Sequence, residues 1–473
     1  MSFSCMKPKR ILTVLLISSF ILVSFSGLAQ DQEVSWPNDL PPQQDFPSLE
    51  GQKVTIEIWT HDPLYIEWFN QTIKEFDRLY SDIEVEGKIS QIAPFQSLLD
   101  KTTAAIVSGE GLPDIIGSGN HTMGRIWEKG LYEAFMPLPL REEGLYEEFY
   151  EPILTPAKRP GSTEVYGLPT DVPVTVLWYR EDILEEAGCE PPIETWDEYV
   201  ECGKKVTKDL DGDGSTDRWM TVMTKNVSSP DVVPYQYHPI RRQLGSQFFT
   251  EEGEIVIASE ENAKAAQFIS DLVNKWEIAK PVANAFGGNS GQALFKEGKA
   301  ATYLSATWYL DFLMKAYYPD QAGKWRAQAH PKFEKGGLVD IEGIGSRTGK
   351  IGGTYMMILK SEKQDFVWEF LKYSYASSEN LIRYWEKIHY LPTTKKALDS
   401  EEVTGFRSEY LGGQKLGELY SELVPELQPE YTHIGLTPLK QSLMDHTPKL
   451  IDGRLTGQEW VKLLEEEVKS MIE

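Results

Sequence analysis

The stretch "VTIEIWT" (Val54–Thr60) alternates side chains and is rich in β-branched residues, the pattern of a half-buried strand. A helical pattern follows from about Tyr65 to Tyr80, then a strand at "IEVEGKIS", a helix over about Phe95 to Ser108, and then "GLPDIIGSGN". No other feature constrains the fold as much. Strands alternating with helices join in parallel, because a parallel pair needs a crossover of a dozen or more residues and a helix supplies it. The expected fold class is α/β with a largely parallel sheet. At 473 residues the chain can build two or three such cores. Three later helix starts have capping-box spacing, in which each of two side chains satisfies a free backbone N–H: Thr195…Glu198, Ser361…Gln364 and Thr456…Glu459. Ser259 opens another helix, whose Ala266, Phe268, Ile269, Leu272 and Val273 suit one buried face. No internal repeat or low-complexity tract is present.

The first 29 residues read as a secretory leader. Lys7, Lys9 and Arg10 precede the apolar run "ILTVLLISSFILVSF" (Ile11–Phe25), and Gly27 and Ala29 are the small residues of a cleavage site. The run is short for a membrane span. No Cys follows the site, so lipid attachment is not indicated, and the periplasm is the expected compartment. Residues 30–51 carry Pro37, Pro41, Pro42 and Pro47 with little apolar pattern, and are expected to form a tether or arm rather than core. The formal net charge of −25 argues against nucleic acid and anionic membrane, whose phosphates would be repelled. Cys5 leaves with the leader. Cys189 and Cys202 remain in an oxidising compartment where they could pair, but sequence does not give the Cα separation a disulfide needs.

A series of segments then follows in order: "IVSGEGLPDIIGSGN", "YGLPTDVPVTVLWYREDILEEAG", "PPIETWDEYVECGKKV", "FKEGKAATYLSATWYL" (Phe295–Leu310), and "GGTYMMILKSEKQDFVWEFLKYSYASSENLIRYWEKIHYLPTTKKAL". With "VTIEIWT" ahead of them, they resemble the extracellular solute-binding proteins of ABC importers, in the cluster that includes maltose-binding protein. The resemblance covers roughly residues 52–473. It implies a two-lobed, type II-like periplasmic-binding-protein fold with discontinuous lobes, 52–170 with 357–405 and 171–356 with 406–473. Crossovers are expected near Leu168–Val176, near Lys350–Met357 and between Glu401 and Val424. The resemblance also implies reversible capture of a small molecule between the lobes, delivery to membrane permease subunits, and a monomer.

A sugar offers apolar ring faces and a rim of hydroxyls, so aromatic rings and planar polar side chains recognise it. The 13 Trp and 22 Tyr suit such a ligand. Position nominates Trp59, Thr60 and His61 at the end of the first strand, and Asn120 and His121 after "PDII". Asp171 at the first crossover is either a cleft carboxylate accepting two hydroxyls or a turn cap. By resemblance, "VPYQYHPIRRQLGSQFF" (Val233–Phe249) gives Tyr235 a ring-stacking role with Gln236 and Tyr237 beside it, while Val233 stands where maltose-binding protein has an acid. Trp308 matches the family's stacking tryptophan, although Ala306 replaces a Gly, and Gly352 and Gly353 match a backbone that comes close to ligand. Lys440 stands where maltose-binding protein offers another aromatic, with Tyr431 and His433 earlier. A pocket of this kind is not built for maltose, and a cleft lysine would permit an acidic sugar.

"DLDGDGSTDRW" (Asp209–Trp219) has calcium-loop spacing: Asp209, Asp211, Asp213, the Ser215 carbonyl and Asp217 fall on alternate positions, with Gly214 at the sharp turn. Met220 stands where a bidentate Glu belongs, so a distant carboxylate would have to complete the shell. The competing readings are an Asx-rich turn facing water and, less well matched, magnesium. If calcium binds, it is expected to brace the fold; no catalytic cofactor is expected. Outside a binding role, a secreted carbohydrate enzyme would need a carboxylate pair, and none stands out. Neither a G-x-S-x-G elbow nor an H-E-x-x-H helix occurs. A peptide, polyamine or metal-ion ligand on the same fold is the other alternative.

Overall fold

The first expected strand, Lys53–Thr60, lies inside a five-stranded sheet of the computed structural model, which describes residues 34–225, 236–285 and 289–473. It pairs in parallel with Glu84–Gln91 on one side and Ile115–Gly119 on the other. Thr354–Ile358 then runs antiparallel to Ile115–Gly119 and also pairs with Leu168–Pro169. A second five-stranded sheet repeats the scheme. There Trp219–Thr224 is parallel to Ala279–Val282 and Ala300–Ala306, and Thr175–Arg180 runs antiparallel to Ala300–Ala306 and Trp325–Gln328. The sheets are therefore mixed rather than largely parallel. In each, the antiparallel partner is the strand that arrives from the other sheet, so it enters from the opposite end.

Local chemistry accounts for the helices. In Pro63–Leu79 the Asp62 side chain accepts the Leu64 N–H and Pro63 opens the first turn. Its Tyr65, Trp68, Phe69, Thr72, Ile73 and Phe76 face the first sheet at helical spacing. The capping boxes at Thr195 and Thr456 form, and Ser259 caps Glu260–Asn274 through the Asn262 N–H. The one expected at Ser361 does not form. The Ser361 carbonyl accepts the Gln364 N–H in a turn, and helix Gln364–Tyr375 starts only at that point, without a side-chain cap.

The proline-rich stretch that was expected to be a tether is not a free one. Within the compact unit Trp36–Glu473 it lies on the first sheet's helices. Leu40 is buried, Phe46 packs edge-on against Phe366, and the Tyr80 hydroxyl donates to the Gln44 carbonyl. Asp39 accepts from the Ser377 hydroxyl and the Ser378 N–H, at the start of helix Ser378–Ile388. Prolines remove backbone donors, so side chains and carbonyls do the fastening here.

The chain crosses between the sheets where Leu168–Pro169 gives way to Thr175–Arg180, and again where Lys350 leads into Thr354–Ile358. The two crossings touch: Val174 bridges Lys350, and the Ile351 N–H donates to the Pro173 carbonyl. Residues 401–424, where a third crossing was expected, bury Val403, Tyr410, Leu416 and Tyr420 with Trp178, Tyr303 and Trp325 of the second sheet. That segment already belongs to the second sheet's core. Helices Leu436–Ile451 and Gly457–Ile472 close the second core through Leu443, Leu450, Trp460 and Leu464. Cys189 and Cys202 are joined by a disulfide at a Cα separation of 5.7 Å, which staples the loop before helix Trp196–Val206 to that helix. Among the described residues no helix is long and apolar enough to cross a membrane; residues 1–29, where a leader is expected, lie outside them.

Candidate functional site

Parallel strands of both sheets run toward one cavity of about 700 Å³. His61 and Asp62 follow Lys53–Thr60, Asn120 and His121 follow Ile115–Gly119, Asn284 follows Ala279–Val282, and Trp308 follows Ala300–Ala306. A crevice at the carboxyl ends of strands is where open α/β sheets take ligands. The crossings add Asp171 and Lys350–Thr354, and the approach to helix Leu436–Ile451 adds Glu430–Thr432.

The floor of the cavity is a network of buried charges. Glu430 accepts from His238 Nε2 at 3.0 Å and Arg241 Nη2 at 3.2 Å through one oxygen, and from Asn120 Nδ2 at 2.9 Å through the other. Arg241 also donates to His238 Nδ1 at 3.1 Å, which makes His238 the Nε2–H tautomer. Burial drives His238 down to about 4, so the ring is neutral at pH 7. Burial opposes the Glu430 charge, but His238, Arg241 and Arg242 outweigh it and hold the carboxyl well below the usual carboxylate range. Glu430 thereby ties Asn120, at the end of a first-sheet strand, to helix Tyr237–Gln243 in the second core. Arg242 and Gln247 both donate to the Pro429 carbonyl, fixing the segment that carries Glu430.

Beside this network, Asp171 accepts the Thr354 N–H at 3.2 Å and lies 3.1 Å from the Thr170 hydroxyl. Burial raises it to about 6. It is at once a cap for the crossing backbone and a wall of the cavity, so the two sequence readings describe one residue. Burial also lowers Lys350 to about 8, against the attraction of Glu430 and Asp171; its ammonium donates to the Tyr355 hydroxyl at 2.9 Å. Gly352 and Gly353 stand at φ +86° and +98°, where a Cβ is strained, and the Gly353 carbonyl accepts the Asn120 N–H. A Cβ on Gly352 would also come within 3.4 Å of Trp308 Nε1, so the chain passes directly under the indole.

Of the sequence-nominated residues, His61, Asn120, His121, Asp171, Trp308, Gly352 and Gly353 line this one cavity. Trp59 and Thr60 do not. Both are buried in the first core, because the strand's last two residues are still inside the sheet; the indole donates to Glu57 and Lys101 lies over the ring. Tyr237 points into the second core, its hydroxyl donating to the Asn262 carbonyl and its ring edge-on to Trp460. Gln236 is buried and donates to the Val222 carbonyl. Both start a helix whose inner face they occupy. Tyr235 and Val233 lie outside the described residues.

Several lining residues were not nominated. Phe95 is held between two imidazoles, 3.6 Å from the His61 centroid and edge-on to His121 at 4.8 Å. Phe248 carries the Arg241 guanidinium at 3.8 Å, and Phe312 and Tyr390 line the cavity as well. Phe312 was legible as one helical turn beyond Trp308; Phe95 and Tyr390 carry no such signal. Lys440 and Tyr431 do line the cavity.

The loop of acids lies elsewhere. Asp209, Asp211 and Asp217 bring carboxylate oxygens within 4.8 Å of one another, and Asp213 is not in that group. Backbone N–H groups of Gly214 and Gly212 donate to Asp209, and the Ser215 N–H donates to Asp213. No residue of the loop lines the cavity.

Two mixed α/β sheets, linked by crossing strands and opening their strand ends on a shared cleft, define a two-lobed ligand-binding protein. The sequence profile of "Bacterial extracellular solute-binding protein" matches residues 62–380, and the chain belongs to that family. An arabinooligosaccharide-binding protein of Bacillus subtilis is 25% identical over 395 residues, covering 82% of this chain and 84% of the relative. A lactose-binding protein of Rhizobium radiobacter is 27% identical over 320 residues, 66% and 68% of the two chains. In fold the chain is similar to the sugar-binding protein MalE of Xanthomonas citri, with a TM-score of 0.70 at 18% identity over 89% of this chain and 97% of that one.

Proposed function

We infer that this chain is the substrate-binding component of an ABC importer, taking up a sugar or oligosaccharide in the cleft and presenting it to membrane permease subunits from the periplasm. One observation carries the reading. The Trp308 indole, just past a second-sheet strand, and the Tyr390 ring line one cavity with a buried, planar and polar network around Asn120, Asp171 and Glu430. Apolar ring faces need the first and hydroxyls the second; an unpaired buried hydroxyl would cost about 1–3 kcal/mol. The relatives named for arabinooligosaccharide and lactose support the sugar class. The role is capture and release without chemistry on the ligand. Peptides and polyamines fit less well, because the floor carboxylates Asp171 and Glu430 are already engaged by backbone and by Arg241.

Binding of saccharides measured by thermal shift and calorimetry, with the ligand recovered unchanged, tests this. A protein stabilised by peptide or polyamine alone, or recovered with sugar breakdown products, contradicts it. The acidic loop is proposed as a structural calcium site held by Asp209, Asp211 and Asp217, where the ion would neutralise crowded carboxylates.

A further inference from the structure

Phe312 stands out among the chain's large apolar side chains. It is 66% exposed, yet it lines the cleft. Its N–H donates to the Trp308 carbonyl at 3.0 Å, so it lies one turn beyond the indole. Phe312 itself lies within Leu310–Met314, a stretch of π-helix, a geometry that recurs at functional sites. Residues four apart share one face of a helical turn, so Trp308 and Phe312 belong to the same wall of the cleft.

The two aromatics are held differently. Trp308 is half-buried, anchored by its Nε1 donating to the Ile351 carbonyl at 3.1 Å and backed by Gly352. Phe312 has its face in water. Tyr390 lines the same cleft, its hydroxyl donating to Asp62 at 2.7 Å, and Asp311, next to Phe312 in the chain, is among the acids whose charge helps keep that phenol protonated. The cleft thus has both an exposed ring and a fixed phenol in its lining.

We propose that Phe312 is a second stacking platform, one ring outward from Trp308, and that it selects ligands of at least two sugar rings over monosaccharides. This rests on the sugar reading above and adds to it the length of the ligand and the residue that measures it. A monosaccharide seated on Trp308 leaves Phe312 uncovered. A second ring covers it, and an exposed aromatic face gains most from being covered.

The test is calorimetry of the purified full-length protein and of Phe312→Ala and Phe312→Leu, each against mono-, di- and trisaccharides of arabinose, xylose, glucose and galactose. The expected result is that the wild type binds at least one series with affinity rising from mono- to disaccharide. Phe312→Ala should lose about tenfold on the di- and trisaccharide and less than twofold on the monosaccharide, with Phe312→Leu intermediate. Because the side chain is exposed, both variants should melt with the wild type. Equal loss on every chain length, or none on any, overturns the proposal while leaving the sugar reading standing. A wild type that binds no saccharide overturns both.

Discussion

The two sheets share one plan and finish it differently. Each sets a strand between two parallel neighbours and then takes in an antiparallel strand from the other sheet. Repetition of that plan aims both sets of strand ends into one cleft. The first sheet ends in small and polar groups, His61, Asn120 and His121, with Phe95 locked between imidazoles. The second leads into Trp308, half-buried, and Phe312, exposed, both lining the cleft. The shared topology makes a cleft, and under the proposed sugar reading the unequal ends give it a hydroxyl-reading side and a stacking side.

Acid should strain both sides. Burial lowers His61 and His330 to about 3 and His238 to about 4, all below an unfolded value of 6.5. Their stabilising contribution is complete above pH 6.5 and is lost as pH falls through the folded values; Asp171, raised to about 6, offsets part of this between its unfolded 3.8 and 6. The denaturant midpoint should therefore drop by the equivalent of a few kcal/mol between pH 7 and 4.5. A flat profile would remove the buried neutral imidazoles from the picture.

On the stacking side, Trp308→Ala should weaken saccharide binding by about 2 kcal/mol, roughly 30-fold, at nearly unchanged melting temperature. If Phe95→Ala costs as much affinity at unchanged stability, the division between the sides fails. On the polar side, Asp171→Asn should weaken binding about tenfold. Wild-type affinity should fall as pH drops below about 6, where Asp171 takes up its proton, and the Asn variant should lack that slope. A slope that survives the substitution assigns it to another group. Least of all should follow from chelation. If the proposed calcium site is filled, chelation should lower the melting temperature by a few degrees and leave affinity within twofold, because loop 209–217 does not line the cleft. A large affinity loss at constant stability would bring the loop into the binding function.

Much of this was legible from residue order. Strand–helix alternation and capping spacings at Thr195 and Thr456 placed elements of the fold, positions just past strand ends gave His61, Asn120 and His121, and the family resemblance gave Asp171 at the crossover, Trp308, Gly352 and Gly353. What failed did so for local reasons. Trp59 and Thr60 are one pleat too early to leave the sheet, and Tyr237 begins a helix with its face inward. Side-chain direction at an element's end is set by tertiary contacts, which spacing does not record. Glu430 gave no sequence signal at all, because its partners Asn120, His238 and Arg241 are distant along the chain. The arm at 36–49 looked like a linker because its fastening runs through Asp39, Gln44 and Phe46 rather than through an apolar period.

The most direct measurement is titration of the purified protein with a saccharide panel, following heat of binding and ligand integrity together. At least one saccharide should bind with one-to-one stoichiometry, raise the melting temperature by a few degrees at saturation and be recovered intact. No heat with any saccharide, alongside clear binding of a peptide or polyamine, would contradict a cleft built for sugars.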